Sequence, residues 1–140
     1  MQESFGAYIP FVDHLGFELV FFDEGQSELH YTPEDEHLNS FNVTHGGAIM
    51  TLLDVTMATA ARSVDKGMGA VTIEMKTSFM RPARGPLTAK GRLIHRTRHM
   101  AFTEASVYDE AGQVCAHATG TFKYASRDAA PTELHEISTD

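Results

Sequence analysis

The stretch MTLLDVTMATAA, from Met50 to Ala61, places a single carboxylate in an otherwise apolar run. From Gly47 to about Arg62, apolar residues fall on every side of a helical projection, which predicts a buried helix. These residues are Ala48, Ile49, Met50, Leu52, Leu53, Val55, Met57, Ala58, Ala60 and Ala61. A buried acid needs a hydrogen-bonding partner or a chemical role. For Asp54 the residues leave two interpretations open. Either a neighbouring hydroxyl such as that of Thr51 or Thr56 donates a hydrogen bond to the carboxylate, or the carboxylate has a chemical role.

Length and composition predict one compact domain, residues 1–140, with a polar tail over 125–140. The hydrophobic fraction of 42% and the charged fraction of 21% are ordinary for a soluble protein. The N-terminal residues lack the pattern of a signal peptide, and Asp54 interrupts the longest apolar run. We therefore expect a cytoplasmic protein without a membrane span. The single cysteine, Cys115, excludes an internal disulfide and a thiolate metal cluster.

Charge is distributed unevenly along the chain. The formal net charge is 11 − 19 = −8, yet residues 1–61 contain ten acids and no Lys or Arg. Residues 62–98 carry nine basic residues against two acids, a local net charge of +7. The basic segment is compatible with a phosphorylated ligand or with a solvated basic face. The acidic total argues against duplex DNA or an anionic membrane as the main partner.

The remaining pattern predicts a sheet. Alternating segments indicate strands at Glu18–Asp23, Gln26–Tyr31, Ala70–Met80, Leu87–His95, Met100–Tyr108 and Gln113–Tyr124, with a short helix from about Ser4 to His14. Hairpin-like connections predict an antiparallel sheet of about six strands with the helix on one face, an α+β fold. One curved sheet leaves part of an all-apolar helix bare, so we expect a second subunit to cover it.

One motif carries a family resemblance. HGGAIMTLLD, with Asn39 six positions before His45, and the downstream FMRPARG resemble the hotdog-fold acyl-CoA thioesterases of the phenylacetate-degradation (PaaI-like) type. The order of elements is similar to that family over about residues 14–124. The resemblance implies a sheet wrapped around the helix, paired subunits, acyl-CoA as substrate and no cofactor beyond it. In this sequence, Asn42 replaces the glycine of many relatives, and Asn tolerates a left-handed backbone well.

The resemblance also implies roles for particular residues. Asp54 matches the helix carboxylate, a nucleophile or general base; Gly46 matches the residue whose N–H polarises the thioester carbonyl; Asn39 and His45 match neighbouring polar residues, and Thr72 a hydroxyl near the carboxylate. Candidate contacts to coenzyme A are Gly47, Arg81, Arg84 and Arg98. No metal site is expected, because His95 and His99 lie around a predicted turn.

Helix geometry adds a condition on this site. The first N–H groups of a helix lack intrahelical acceptors and suit a developing oxyanion. Gly46 and Asp54 are eight residues apart, which is about 12 Å along a helix axis at ~1.5 Å per residue. One carbonyl cannot contact both groups. If two helices run antiparallel across a two-fold axis, Asp54 of one subunit approaches Gly46 of the other, so the site requires a dimer or a dimer of dimers.

Several alternatives stay open. Each candidate residue also has a structural interpretation. His45 is also suited to capping the helix, and Asn39 to an ordinary turn. Thr72 is also suited to a strand, and the arginines to a solvated surface. Phe79 and Met80 are expected in the core rather than in an acyl pocket. A catalytically silent dimer that binds acyl-CoA, or a hydratase, competes with the thioesterase; the absence of a different catalytic histidine pattern argues against the hydratase. The acyl group is undetermined.

Overall fold

The computed structural model describes residues 5–134. Its helices are α1 (Pro10–Leu15) and α2 (Gly46–Arg62); its strands are β1 (Glu18–Asp23), β2 (Gln26–Tyr31), β3 (Gly69–Phe79), β4 (Leu87–Arg96), β5 (Met100–Tyr108) and β6 (Val114–Ala125). The strands form one antiparallel sheet in the order β1-β2-β4-β5-β6-β3. The prediction of six antiparallel strands around one long helix is confirmed.

The core lies between α2 and the concave face of the sheet. Leu52, Leu53 and Met57 of α2 are fully buried there. Small residues on β6 allow α2 to lie close to the sheet. A Cβ built on Gly120 would lie only 2.9 Å from Met57 Cε. Removing these apolar side chains from water is the main contribution that stabilises the folded state.

Gly91 on β4 marks the tightest contact between sheet and helix. A Cβ there would lie 2.6 Å from Ser27 Oγ and 2.7 Å from the backbone oxygen of Thr56. We expect Gly91→Ala to lower the free energy of unfolding by about 1–3 kcal/mol, because a backbone atom must move. Urea denaturation measures the change. Gly67→Ala is the matched control, because no atom lies within 4 Å of a Cβ built there; equal stability of the two variants would contradict the predicted clash.

The first helix differs from its prediction. It begins at Pro10 rather than near Ser4, because proline is favoured at the first helical position. It ends at its C-cap, Gly16, which adopts the left-handed conformation at φ 79°. Ser4 itself lies outside the described residues. After β6 the tail contains one 3₁₀ turn, Pro131–Glu133, and the predicted tail beyond residue 134 also lies outside them.

The loop before α2 is ordered by local turns. It contains a 3₁₀ turn at Asp35–His37 and a bridge between Leu38 and Thr44. Asn42 adopts the left-handed conformation at φ 59°, so asparagine supports the turn where glycine is common in the resembling family. The loop thereby delivers Asn39 to the start of α2.

Two neighbouring surfaces are left uncovered by the described residues 5–134. β3 is an edge strand of 11 residues, and among the described strands it pairs with β6 alone. On α2, Met50 is 40% exposed, and Gly47, Asp54 and Ala58 on the same side are exposed or partly buried. The prediction that one sheet leaves part of this helix bare is confirmed.

Candidate active site

The N-terminus of α2 presents one free backbone donor. His45 is the N-cap, and its Nδ1 accepts a hydrogen bond of 2.8 Å from the Gly47 N–H. The capping alternative for His45 is therefore confirmed. The Gly47 N–H is occupied, whereas the Gly46 N–H has no acceptor among residues 5–134. Of the two glycines, Gly46 is the one whose N–H is available to an oxyanion.

The side chain of Asn39 is oriented by its own loop. Its Oδ1 accepts hydrogen bonds from the N–H groups of Phe41, at 2.8 Å, and Val43, at 3.3 Å. The Asn39 N–H donates to the Val43 oxygen at 2.8 Å. Because the amide oxygen is used within the loop, the Nδ2 group is the part of Asn39 that can contact a ligand, and it can only donate.

A cavity of about 430 Å³ joins these donors. Its lining includes Asn39, Gly46, Ile49, Phe79, Met80 and Arg81. Phe79 and Met80 are 54% and 51% exposed, so the expectation that both pack in the core is wrong. The Phe79 ring lies against Gly46, 3.5 Å from the position of an added Cβ. The cavity is largely apolar, with the free donors on its wall, as ligand sites commonly are.

Asp54 has one strong hydrogen-bonding partner, and it is not a helical hydroxyl. Thr72 Oγ1 on β3 donates to Asp54 Oδ1 at 2.5 Å. Thr51 and Thr56 instead donate to the backbone oxygens of Gly47 and Leu52. The alternative that these neighbours satisfy the acid is wrong, and the expected contact with Thr72 is present.

Two opposed effects act on the pKa of Asp54, and burial is the larger of them. Burial raises the pKa of Asp54, because it disfavours the charged carboxylate. The hydrogen bond from Thr72 lowers the pKa and so opposes the rise. Asp54 is thus a partly desolvated carboxyl group whose pKa stays above its ordinary value despite the hydrogen bond from Thr72, and perturbed carboxyl groups of this kind are typical of catalytic acids and bases.

Thr72→Val tests this balance. Without the donor, the pKa of Asp54 is expected to rise further, so the acidic limb of the pH–kcat profile moves to higher pH. Thr72→Ser retains the hydroxyl and serves as the matched control. The pH dependence of thioester hydrolysis measures the shift; identical profiles for the Val and Ser variants would remove Thr72 from the site.

The described chain forms two groups rather than one complete site. Asn39, Gly46 and Arg81 share the cavity, whereas Asp54 and Thr72 do not line it. Arg84 and Arg98 are exposed and also lie outside the lining. The cavity lining also includes Cys115 and Ala116, which the sequence pattern did not predict because their proximity to α2 depends on the strand order.

Within residues 5–134, no helix is long and apolar enough to cross a membrane. No three metal-ligating side chains cluster in this range either. The His95 ring instead stacks on Phe102, with centroids 6.2 Å apart.

Known proteins resemble this chain in sequence. The family model described as "Thioesterase superfamily" matches residues 41–116. A curated protein of Archaeoglobus fulgidus named "Putative esterase" is 32% identical over 78% of this chain and 71% of its own. Human acyl-coenzyme A thioesterase 13 is 26% identical over 56% of this chain and 57% of its own.

Solved structures share the fold. A conserved protein of Pseudomonas aeruginosa has a TM-score of 0.80 at 28% identity, covering 84% of this chain and 94% of its own. The PaaI protein of E. coli, from the phenylacetic acid degradation operon, has a TM-score of 0.77 at 24% identity, covering 82% and 83%. With a family match over more than half of the chain, this hotdog-fold protein of the PaaI-like type belongs to the thioesterase superfamily and is a thioester hydrolase.

Proposed function

We propose that this protein hydrolyses acyl-CoA thioesters at a site that two subunits share. The observation that carries the proposal is the division of the machinery along α2. A free N–H at Gly46 begins the helix, and a carboxylate held by Thr72 follows eight residues later. The two are about 12 Å apart along the axis, too far for one carbonyl.

The first half-site polarises the substrate. The thioester carbonyl accepts a hydrogen bond from the Gly46 N–H at the positive end of the helix dipole. The Nδ2 group of Asn39 is a second donor on the same cavity wall. Both donors stabilise the negative charge that develops on the carbonyl oxygen when the carbon is attacked.

The second half-site supplies the attack. The Asp54 carboxylate either attacks the carbonyl carbon directly, expelling the CoA thiolate and leaving an anhydride that water hydrolyses, or removes a proton from an attacking water. Both routes give a free acid and CoA. Both need a poorly solvated carboxylate in its ionised form; burial on α2 removes water from Asp54, and the hydrogen bond from Thr72 favours its charged form.

A dimer brings the halves together. Within residues 5–134, the long edge of β3 has no partner strand, and such an edge is a template for a second chain. The bare side of α2 carries Met50 beside Asp54. Antiparallel pairing of two β3 edges would set two α2 helices side by side in opposite directions. Asp54 of one subunit then faces Gly46 of the other, and each dimer contains two sites.

The acyl-CoA assignment draws on the name of the human relative and on charge. Arg81 is exposed and lines the cavity, and Arg84 follows in the same segment. We assign these two side chains to the phosphates of coenzyme A. Arg98, in the β4–β5 turn, is a weaker candidate. No cofactor is needed, because CoA belongs to the substrate.

A mixed dimer tests the shared site. Asp54→Ala and Gly46→Pro subunits carrying different affinity tags are co-expressed, and the heterodimer is isolated through both tags. One of its two sites then combines an intact Gly46 with an intact Asp54, so we expect about half of the wild-type rate while each homodimer is inactive.

The same assay separates the competing outcomes. An inactive heterodimer made of two folded variants would show that Gly46 and Asp54 act within one subunit. Wild-type protein that binds acyl-CoA without releasing thiol from any ester would support the silent binder instead.

A further inference from the structure

His37 is a buried histidine outside the residues assigned above. It ends the 3₁₀ turn Asp35–His37, and its residue is only 8% exposed. Its Nδ1 lies 2.7 Å from the Tyr31 hydroxyl at the end of β2 and accepts a 3.1 Å hydrogen bond from the Glu34 N–H. One imidazole nitrogen therefore ties the sheet to the loop that carries Asn39.

These contacts define the tautomer of the neutral ring. A backbone N–H can only donate, so Nδ1 must carry a lone pair, and the proton of the neutral ring resides on Nε2. The Tyr31 hydroxyl then also donates to Nδ1. A proton added to Nδ1 would face the Glu34 N–H, and that contact would be lost.

The backbone of His37 holds the other end of the same loop. Its carbonyl accepts a 2.8 Å hydrogen bond from the N–H of His45, the N-cap of α2. Between these two residues lie the Leu38–Thr44 bridge and Asn39. A shift of His37 is therefore transmitted both to the Asn39 side chain and to the residue that precedes the Gly46 donor.

We propose that His37 is a positioning residue for thioester hydrolysis, and that its protonation releases the loop of residues 38–45. The catalytic part rests on the proposed function. Neutral His37 holds Asn39 and the start of α2 in the geometry that receives the carbonyl. Protonated His37 gives up the Glu34 N–H, so the loop loosens and turnover falls on the acidic side.

The surroundings of His37 contain few other titratable groups. Tyr31 faces it from β2; burial is the main cause that raises the pKa of Tyr31 to about 12, with a smaller effect from Glu34, so the hydroxyl stays protonated. Glu34 belongs to the same turn, and its side chain accepts from the His37 N–H. The ring of His14, from α1, lies edge-on with centroids 6.4 Å apart.

The test replaces His37 by an acceptor that does not titrate. In His37→Asn, Oδ1 occupies nearly the place of Nδ1, two bonds beyond Cβ, and accepts from the same donors at every pH. His37→Ala removes the acceptor. His14→Asn is the matched control, because it deletes a neighbouring imidazole that has no hydrogen bond of its own within residues 5–134. Far-UV circular dichroism establishes that each variant is folded.

Kinetics give the first readout. We expect kcat of His37→Ala to fall by about 10–100-fold at neutral pH with a smaller change in KM, because the donors are misplaced. His37→Asn should retain most of the activity. When the pH is lowered from about 8 to about 5, the ratio of wild-type kcat to that of His37→Asn should decrease, while the ratio of wild-type kcat to that of His14→Asn stays constant. The titration of Asp54 cancels in each ratio.

Hydrogen exchange gives a readout that needs no turnover. Amides of residues 38–45 should exchange faster in His37→Ala, and in the wild type at pH 5 after correction for intrinsic rates, but not in His37→Asn. Unchanged exchange in His37→Ala would overturn the positioning role. A constant wild-type to His37→Asn ratio would overturn the pH response. Absence of hydrolysis by the wild type, with exchange as expected, would reject the proposed function and keep the loop-holding role.

Discussion

Asp54→Asn is expected to lower kcat for thioester hydrolysis by about 10³-fold or more, since it removes the attacking or proton-accepting group. The amide keeps an oxygen that can accept from Thr72, so the local packing is preserved. Release of free CoA thiol measures the rate. Asp13→Asn, on α1 and exposed, is a control that removes one carboxylate elsewhere. Full activity of Asp54→Asn would end the proposed mechanism.

The same variant is expected to be more stable than the wild type at neutral pH. Because burial raises the pKa of Asp54 in the folded state, the native protein binds this proton more tightly than the unfolded chain does. Stability is therefore lost as pH rises from the ordinary pKa of 3.8 through the raised folded value. Asn has no such charge to bury.

Urea denaturation across that range measures the difference. The stability advantage of Asp54→Asn should be small at about pH 4 and should grow towards about pH 8, as the wild-type carboxyl group loses its proton. A lower stability of the variant at pH 8 would mean that the ionised Asp54 is net stabilising. Such a trade of stability for activity is common at active sites.

Gly46→Pro is expected to lower kcat by about 10²–10³-fold, the usual effect of losing one oxyanion donor. Proline is favoured at the first helical position, and the extended His45 (φ −60°, ψ 138°) is compatible with a following proline. The substitution therefore removes the N–H while leaving α2 in place.

Gly46→Ala is the control for Gly46→Pro. It retains the N–H, and its Cβ would meet the Phe79 ring at 3.5 Å, an ordinary van der Waals distance. We expect activity near that of the wild type. If Ala and Pro reduce kcat equally, the loss is steric and the Gly46 N–H does not bind the oxyanion.

Local patterns predicted much of the fold correctly. The strands Glu18–Asp23, Gln26–Tyr31 and Met100–Tyr108 begin and end where expected, because period-2 alternation and turn residues are local properties. The predicted start of the first helix is wrong, because Pro10 determines the first helical position and the apolar spacing before it does not. The prediction that Phe79 and Met80 pack in the core is wrong, because their exposure depends on a cavity that no local pattern describes.

The sequence by itself determined the long apolar helix with one acid, the alternating strands, and the HGG motif that identifies the family. Only the tertiary structure decided which groups meet. Thr72 reaches Asp54 across 18 positions, His45 takes the Gly47 N–H and leaves that of Gly46 free, and β3 becomes a sheet edge beside the bare side of α2. Periodicity fixes the face on which a side chain lies, whereas its partners depend on strand order and on competition among nearby hydrogen-bond acceptors.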